Sequence, residues 1–329
     1  MKVAVLGAGA IGGHVGARLA LAGHDVTFLA RGAHLQAMRE RGVTVLSRGE
    51  RLVARPRCVE RSDGLPEQDL VLVMAKAPTL PALLAAGARL VGPRTLVVLS
   101  HNGVPWWFPL AVGGPLRDRR LESVDPGRRV ELAVPAHQVI GCVVKMGGTV
   151  VEPGVVQHLG LNRLQVGEIA GGRTDRVQEL AGALSQAGFE AHAHARLAEP
   201  VWSKVLENMP LSPLAMLTGA TIEQLVRDPG TRELMQALHD EGRAVGLALG
   251  LDLSFDMAER EALAARLPGF KSSMLQDLEA RRPMEIDALV TAVLELARHT
   301  GVDTPLLRMV HALATHKAGL LGLHGSTDG

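Results

Sequence analysis

The chain has 329 residues, more than one ordinary domain needs, so we expect two domains. Its 35 basic and 34 acidic residues nearly cancel and are well mixed, and tyrosine is absent, so no nucleic acid and no membrane surface is expected as a partner. Two distant cysteines and the lack of an apolar run long enough to span a membrane favour a reduced, cytoplasmic protein.

The first thirty residues follow the pattern of a dinucleotide-binding β-α-β unit. We predict a strand over residues 2–6, a helix over 10–22 and a second strand over 26–29. The first turn has the spacing GxGxxG, which permits a tight turn, the approach of a pyrophosphate and close packing of the helix on the strand. The helix start offers unpaired backbone N–H groups to the anion. The expected cofactor-binding residues of this turn are Gly7, Ala8, Gly9, Ala10, Ile11 and Gly12.

The end of the second strand indicates which dinucleotide is bound. A site for NAD places an acidic residue there to hold the ribose 2′-hydroxyl. This chain instead has Leu29, Ala30 and Arg31, and Asp25 lies at the opposite end of the strand. A guanidinium can form a charge-assisted pair with a 2′-phosphate. The sequence therefore favours NADP(H), with Arg31 as the phosphate ligand.

Two further apolar strands are predicted over residues 69–74 and 95–99. Lys76 and Asn102 follow them closely, and ligands of parallel sheets bind at the carboxyl ends of strands. Both residues are therefore candidates for the cofactor site, although each could equally be an ordinary loop residue. Residues 105–138 are rich in Pro, Gly and Arg and indicate an inserted loop, in which Trp106 and Trp107 could close over a pocket as a lid.

The pattern becomes helical near residue 196. We therefore predict an N-terminal α/β domain over residues 1–195, which includes the loop insertion near 105–138, and a helical domain over 196–329. Helices are expected on both sides of a break at Asp228-Pro229-Gly230, with the second ending at Gly250. Further helices are predicted over residues 256–266, 273–281, 285–299 and 304–318.

The stretch VWSKVLENM, residues 201–209, places Lys204 and Asn208 four residues apart and hence on one face of a helix. A solvated surface lysine is the ordinary interpretation of this pattern. Pro210 would remove a helical hydrogen bond, so the helix is expected to kink or end near Met209.

Taken together, these motifs resemble the ketopantoate reductase family. The resemblance rests on the glycine turn, on Arg31, and on four further stretches: KA from residue 76, NGV from 102, WxKxxxN over 202–208 and SSMLQDLEARRPMEID over 272–287. It covers nearly the whole chain. It implies a Rossmann domain with a mostly parallel, doubly wound sheet, an all-α C-terminal domain, and NADPH-dependent reduction of 2-dehydropantoate to pantoate.

The resemblance also implies roles for individual residues. Lys204 would be the general acid that protonates the keto oxygen, and Glu285 would be its carboxylate partner. Asn102 and Asn208 would contact the substrate. Ser212 stands where relatives often have asparagine, which leaves its substrate-binding role open. Ser273 would bind the substrate carboxylate, or it would cap a helix together with Gln276, since the two are three residues apart.

Other functions remain open from the sequence. A reductase of the same fold for another 2-keto acid is one alternative, motivated by the two tryptophans, and a non-catalytic NADP-binding regulator is another. No metal site is expected, because His192 and His194 lack a third ligand. The helical domain could form a homodimer, but no motif in the sequence specifies one.

Overall fold

The computed structural model describes residues 1–251 and 269–324. They form two compact units. The N-terminal unit comprises Met1–His101 and Arg128–Leu197. The helical unit comprises Asn102–Gly127 and the chain from Ala198 onward. The helix predicted over 256–266 lies outside the described residues.

The N-terminal unit is built on a mostly parallel sheet that has ten strands among the described residues. They are β1 Lys2–Leu6, β2 Asp25–Leu29, β3 Val43–Ser47, β4 Glu50–Ala54, β5 Arg57–Val59, β6 Leu70–Met74, β7 Leu96–Ser100, β8 Val139–Glu152, β9 Val155–Glu168 and β10 Glu190–Ala193. Their order is β4-β3-β9-β8-β7-β6-β1-β2-β5, and β10 pairs with β9. The helices of this unit are Ala10–Leu21, Gly32–Arg41, Leu80–Gly87 and Asp175–Gln186.

The central strands confirm the predicted β-α-β pattern. β1 pairs in parallel with β2 on one side and with β6 on the other, and β6 pairs in parallel with β7. β6 is buried along its whole length, which explains its uninterrupted apolar sequence, since helices cover both faces of such a sheet. This arrangement is the predicted Rossmann fold.

The long hairpin of β8 and β9 was not predicted. These strands pair antiparallel with irregularities in register at Lys145/Gly147 and at Val150/Glu152. Such breaks interrupt the alternation of apolar and polar residues on which a strand prediction depends. The hairpin turns at Gly154, whose φ of +83° favours glycine.

The regular elements in the described part of the helical unit are all helical. They are Phe108–Val112, a 3₁₀ turn Gly114–Leu116, Ala198–Asn208, Ser212–Thr218, Ile222–Arg227, Pro229–Ala248, Ser273–Glu279, a π-helical turn Asp287–Thr291 continued by Ala292–Thr300, and Pro305–Leu320. The break predicted at 228–230 is confined to Asp228, whose carboxylate accepts the N–H of Thr231 and thereby caps the next helix. Pro229 and Gly230 lie within that helix, because proline is well suited to a first helical turn.

Residues 102–127 belong to the helical unit, whereas the sequence placed them in an insertion of the first domain. Two contacts explain the difference. Phe108 stacks on Trp202 with ring centroids 5.5 Å apart, and the Glu295 carboxylate accepts the backbone N–H groups of Glu122 and Ser123. Trp107 is only 2% exposed, so it packs in the core and does not form the predicted lid.

Candidate functional site

The glycine turn after β1 has the backbone that a dinucleotide site requires. Gly7 has a φ of +92°, and a Cβ on Gly12 would lie 2.1 Å from the Gly7 carbonyl oxygen, so neither position accepts a side chain. Gly9 differs from both. It has an ordinary φ of −71°, and a Cβ there would meet no protein atom within 4 Å. The fold itself therefore does not require glycine at position 9, whereas a phosphate that approaches the backbone would require it.

The other predicted cofactor residues also lie in the N-terminal unit, except Asn102. Gly9 is the N-cap of the Ala10–Leu21 helix, and no side chain caps that end. Arg31 is exposed at the N-cap of the Gly32–Arg41 helix, directly after β2. Lys76 is half-buried and precedes a 3₁₀ turn after β6. Asn102 belongs to the helical unit, where it lies in the cavity described below.

Lys204 lies on the Ala198–Asn208 helix, whose buried side is apolar. Ala198, Val201, Trp202, Val205 and Leu206 recur at the helical period and are buried. Lys204 and Asn208 occupy the half-buried flank, one helical turn apart, as their spacing predicted.

The helix ends where Pro210 predicted. It stops at Asn208, three turn residues follow, and a new helix begins at Ser212 with Pro213 in its first turn. Ser212 is 3% exposed. The interruption therefore brings Ser212 to the start of a second helix, close to the end of the first.

The NGV motif holds Asn102 against Glu285. The side-chain amide of Asn102 donates to the Glu285 carboxylate across 3.3 Å, and Val104 N–H donates to the Ala288 carbonyl across 2.7 Å. Gly103 makes this approach possible. It has a φ of +82°, and a Cβ on it would lie 2.3 Å from the Ala288 oxygen. The carbonyl of Ala288 belongs to the π-helical turn Asp287–Thr291, a kind of element that is frequent at functional sites.

The two serines of SSMLQ have separate roles. Ser272 is the N-cap of the Ser273–Glu279 helix, and its hydroxyl accepts the N–H of Leu275. The prediction that Ser273 caps this helix is therefore wrong by one residue. Ser273 is the first helical residue and is exposed, so its hydroxyl is not used by the cap.

One cavity in the helical unit is lined by five of the predicted site residues. Among the described residues, it is lined by Asn102, Asn208, Ser212, Ser273, Met274, Asp277, Glu285 and Leu289. Amides and hydroxyls bind keto, hydroxyl and carboxylate oxygens, and the apolar side chains can contact the carbon skeleton of a ligand. Lys204 does not line this cavity itself but lies one helical turn before Asn208.

Three lining residues were not predicted as site residues. Asp277 is 5% exposed, lines the cavity and accepts a hydrogen bond from Arg282. Asp277 stands four residues after Ser273, and Leu289 four residues after Glu285, so the helical period could have indicated both. Met274 follows Ser273 directly and had no such signal.

Over residues 1–251 and 269–324, no helix is long and apolar enough to cross a membrane. Within the same ranges, no group of three or more His, Cys, Asp or Glu side chains is arranged to hold a metal ion.

Comparison with family models and curated proteins covers both units. Residues 3–171 match the family described as Ketopantoate reductase PanE/ApbA, and residues 196–318 match the description of its C-terminal part. A curated 2-dehydropantoate 2-reductase from Mesorhizobium japonicum is 40% identical over 319 residues, which cover 97% of this chain and 98% of the relative.

Solved structures share the fold over almost the whole length. A protein from Ralstonia solanacearum MolK2 assigned as a ketopantoate reductase has a TM-score of 0.91 at 39% identity, covering 98% of this chain and 99% of its own. A D-mandelate dehydrogenase solved with NADH and anilino(oxo)acetate has a TM-score of 0.81, covering 98% and 100%, but at 22% identity this likeness concerns the fold alone. With both units matched by family models and a curated relative aligned over nearly its full length, the chain belongs to the ketopantoate reductase family.

Proposed function

We propose that the protein is an NADPH-dependent 2-dehydropantoate 2-reductase, which reduces the 2-keto group of ketopantoate to (R)-pantoate for pantothenate and coenzyme A synthesis. The observation that carries this proposal is the cavity that joins two asparagines, two serines and Glu285 from separate segments of the helical unit. The match to a curated 2-dehydropantoate 2-reductase over 97% of the chain supports the same substrate.

The cofactor proposed is NADP(H), held by the N-terminal unit. Gly9 supports it, because the protein leaves open the space that its missing side chain would fill. The glycine turn of residues 7–12 would bind the pyrophosphate, Arg31 the 2′-phosphate, and Lys76 the remaining parts. When bound, NADPH supplies the hydride that reduces the keto carbon.

Lys204 is the proposed general acid. Its ammonium group stabilises the negative charge that develops on the keto oxygen and then donates a proton to it. Its position one turn before Asn208 supports this role, because Asn208 lines the cavity.

The polar lining of the cavity then binds and orients the substrate. Asn208 would donate to a substrate oxygen, and the exposed hydroxyl of Ser273 would bind the carboxylate. Glu285 is the proposed partner of the catalytic ammonium, and its bond to Asn102 fixes the direction of its carboxylate. Ser212, which is buried at the cavity, is proposed as a further substrate ligand.

In this proposal the N-terminal unit binds NADP and the helical unit binds the keto acid. The protein is taken to work in the cytoplasm, and association into a homodimer remains a prediction from sequence.

A reductase for another 2-keto acid is the second candidate. It is favoured by the fold's occurrence in a D-mandelate dehydrogenase, which means that the fold alone does not select one keto acid. Met274 and Leu289 would contact the carbon skeleton in either case. A non-catalytic NADP-binding regulator is less favoured, because a regulator does not need Asn102, Asn208, Ser273 and Glu285 gathered at one cavity.

The test is steady-state oxidation of NADPH by the purified protein with a panel of 2-keto acids. The proposal predicts the highest kcat/KM with ketopantoate, above 2-ketoisovalerate and phenylglyoxylate. A higher kcat/KM with phenylglyoxylate would favour the second candidate, and no turnover with any keto acid would favour the regulator.

A further inference from the structure

His34 connects the glycine turn to the hairpin turn of β8 and β9. Its Nε2 lies 2.8 Å from the Ala8 carbonyl oxygen, and Gly154 N–H donates to its Nδ1 across 3.1 Å. All three residues belong to the N-terminal unit. The imidazole is half-buried and stands at the third position of the Gly32–Arg41 helix.

The two hydrogen bonds define the form of the ring. A backbone N–H can only donate, so Nδ1 must be the acceptor and carries no proton. A carbonyl can only accept, so Nε2 must carry the proton and donate it to Ala8. The neutral Nε2–H tautomer satisfies both partners at once.

The hydrogen bond from His34 to the Ala8 carbonyl also fixes the N–H group of the next residue. The helical hydrogen bonds of Ala10–Leu21 begin with the Gly9 carbonyl, which accepts Gly13 N–H, so the Ala8 carbonyl lies outside that helix. The peptide between Ala8 and Gly9 is trans, and in a trans peptide the C=O and the N–H point in opposite directions. A side chain that fixes the Ala8 carbonyl therefore also fixes the direction of Gly9 N–H.

Gly9 N–H belongs to the group of N–H donors at the start of the Ala10–Leu21 helix, which no side chain caps. We infer that His34 is a positioning residue for the dinucleotide, which holds the Ala8–Gly9 peptide so that Gly9 N–H faces the pyrophosphate. The inference rests on the proposed function, because it requires a dinucleotide at this turn.

The hairpin turn that donates to His34 is also held in place by other contacts. Arg41, at the end of the same helix, donates to the Pro153 carbonyl, and Thr44 N–H donates to the Gly154 carbonyl. A Cβ on Gly154 would lie 3.1 Å from the Ala37 Cβ, so the hairpin turn packs directly on the helix. The imidazole is thus held by a rigid turn on one side while it orients the phosphate-binding peptide on the other.

Three variants separate the two hydrogen bonds. His34→Ala removes both. The amide of His34→Asn has an acceptor that can reach Gly154 but is too short to donate to Ala8, whereas the longer amide of His34→Gln has a donor that can reach Ala8. Loss of one neutral hydrogen bond at the binding site corresponds to a rise of about three- to tenfold in Kd. We expect this rise for His34→Ala and His34→Asn, and near-parent affinity for His34→Gln.

The affinity for NADPH and for NADH is measured by fluorescence titration, with kcat measured at saturating NADPH. Both dinucleotides should weaken by the same factor, because the pyrophosphate is common to them, and kcat should change less than about twofold because the reacting groups are untouched. Gln36→Ala is the matched control, since Gln36 is on the exposed side of the same helix and its side-chain amide donates to Glu40.

Unchanged affinity of His34→Ala for both dinucleotides would overturn the inference. A loss of affinity for NADPH alone would also overturn it, because it would point to an effect through Arg31. If His34→Ala does not fold, the comparison of His34→Gln with His34→Asn decides, and equal affinities of these two would also overturn it. A parent protein that binds neither dinucleotide would overturn the proposed function and the inference together, whereas a parent that binds and turns over leaves the function standing whatever His34 does.

Discussion

The amide of Asn102 donates a hydrogen bond to the carboxylate of Glu285, a residue 183 positions later in the chain, across 3.3 Å. Both residues line the same cavity and both are half-buried. The contact depends on Gly103, which lets the backbone of the NGV motif lie directly against Ala288. Asn102 is therefore in a position to fix the direction of the Glu285 carboxylate.

Asn102→Asp should lower kcat/KM by about tenfold or more, because it replaces a donor with a second carboxylate beside Glu285. The loss should be largely removed in a background of Glu285→Gln, where only one of the two groups is charged. A double-mutant cycle on kcat/KM measures this coupling, which should be about 1 to 3 kcal/mol. If the loss of kcat/KM in the double variant equals the product of the losses in the single variants, the two side chains act independently.

Arg31→Asp should reverse the cofactor preference. The substitution repels a 2′-phosphate and provides an acceptor for a 2′-hydroxyl, so kcat/KM should fall with NADPH and rise with NADH. Arg31 is the N-cap of the Gly32–Arg41 helix, and aspartate is a good N-cap residue, so the variant should fold. A variant that still prefers NADPH would show that Arg31 is not the phosphate ligand.

Gly103→Ala should destabilise the helical unit strongly. The added Cβ would lie 2.3 Å from a backbone oxygen at a positive φ, so both strain and overpacking oppose it, at a combined cost of about 3 to 5 kcal/mol. Gly301→Ala is the control, since Gly301 also has a positive φ but a Cβ there would meet nothing within 4 Å. We expect about 1 kcal/mol for the control in urea unfolding. Equal costs would contradict the close packing at Gly103.

His14 should make the N-terminal unit sensitive to acid. Its side chain is 1% exposed, its Nε2–H donates to Asn162, and its ring stacks on His158. Burial lowers the pKa of His14 from 6.5 to about 4, with the nearby His158 and Arg18 acting in the same direction and the Asn162 bond opposing them. As the pH falls below 6.5, the unfolded chain takes up this proton first, so the free energy of unfolding declines until about pH 4, by up to about 3 kcal/mol.

His14→Gln retains a donor for Asn162 and removes the titration. Urea unfolding at a series of pH values should therefore show that the free energy of unfolding falls more in the parent than in the variant as the pH falls from 7 towards 4. An equal decline of the free energy of unfolding in the two proteins would mean that His14 does not contribute to the acid sensitivity.

The features that the sequence predicted well are those encoded over short distances. β1, the glycine turn and β2 fall within thirty residues, and the interruption after Asn208 follows from Pro210 alone. The hairpin of β8 and β9 was missed, because its irregular register hides the alternation that identifies strands.

The predictions that failed concern features that depend on tertiary packing. Trp107 lies in a segment whose composition indicated a loop or lid, but its side chain is buried. Its neighbour Phe108 stacks on Trp202, ninety-four positions later in the sequence. Ser273 has the glutamine three residues later that a capping box requires, whereas Ser272 has Leu275 there, and yet the backbone conformation makes Ser272 the cap. Glu285 could be named only through a family resemblance, since its contact with Asn102 spans the chain.

In the proposed mechanism, Lys204 supplies the proton and the charge stabilisation for reduction of the keto group. Turnover of ketopantoate with NADPH should therefore fall by about 10² to 10⁴-fold in Lys204→Ala, since this interaction develops only in the transition state. Lys204→Arg should recover little, because a guanidinium is bulkier and does not release a proton near neutral pH. NADPH affinity, followed by fluorescence, should stay within about twofold of the parent, because the glycine turn and Arg31 are unchanged.

The most direct measurement is kcat of parent and Lys204→Ala under saturating NADPH and ketopantoate. We predict a loss of at least about a hundredfold in kcat with the cofactor affinity preserved. A Lys204→Ala protein that turns over within a few-fold of the parent would contradict it, and would leave Lys204 as a solvated lysine on the flank of its helix.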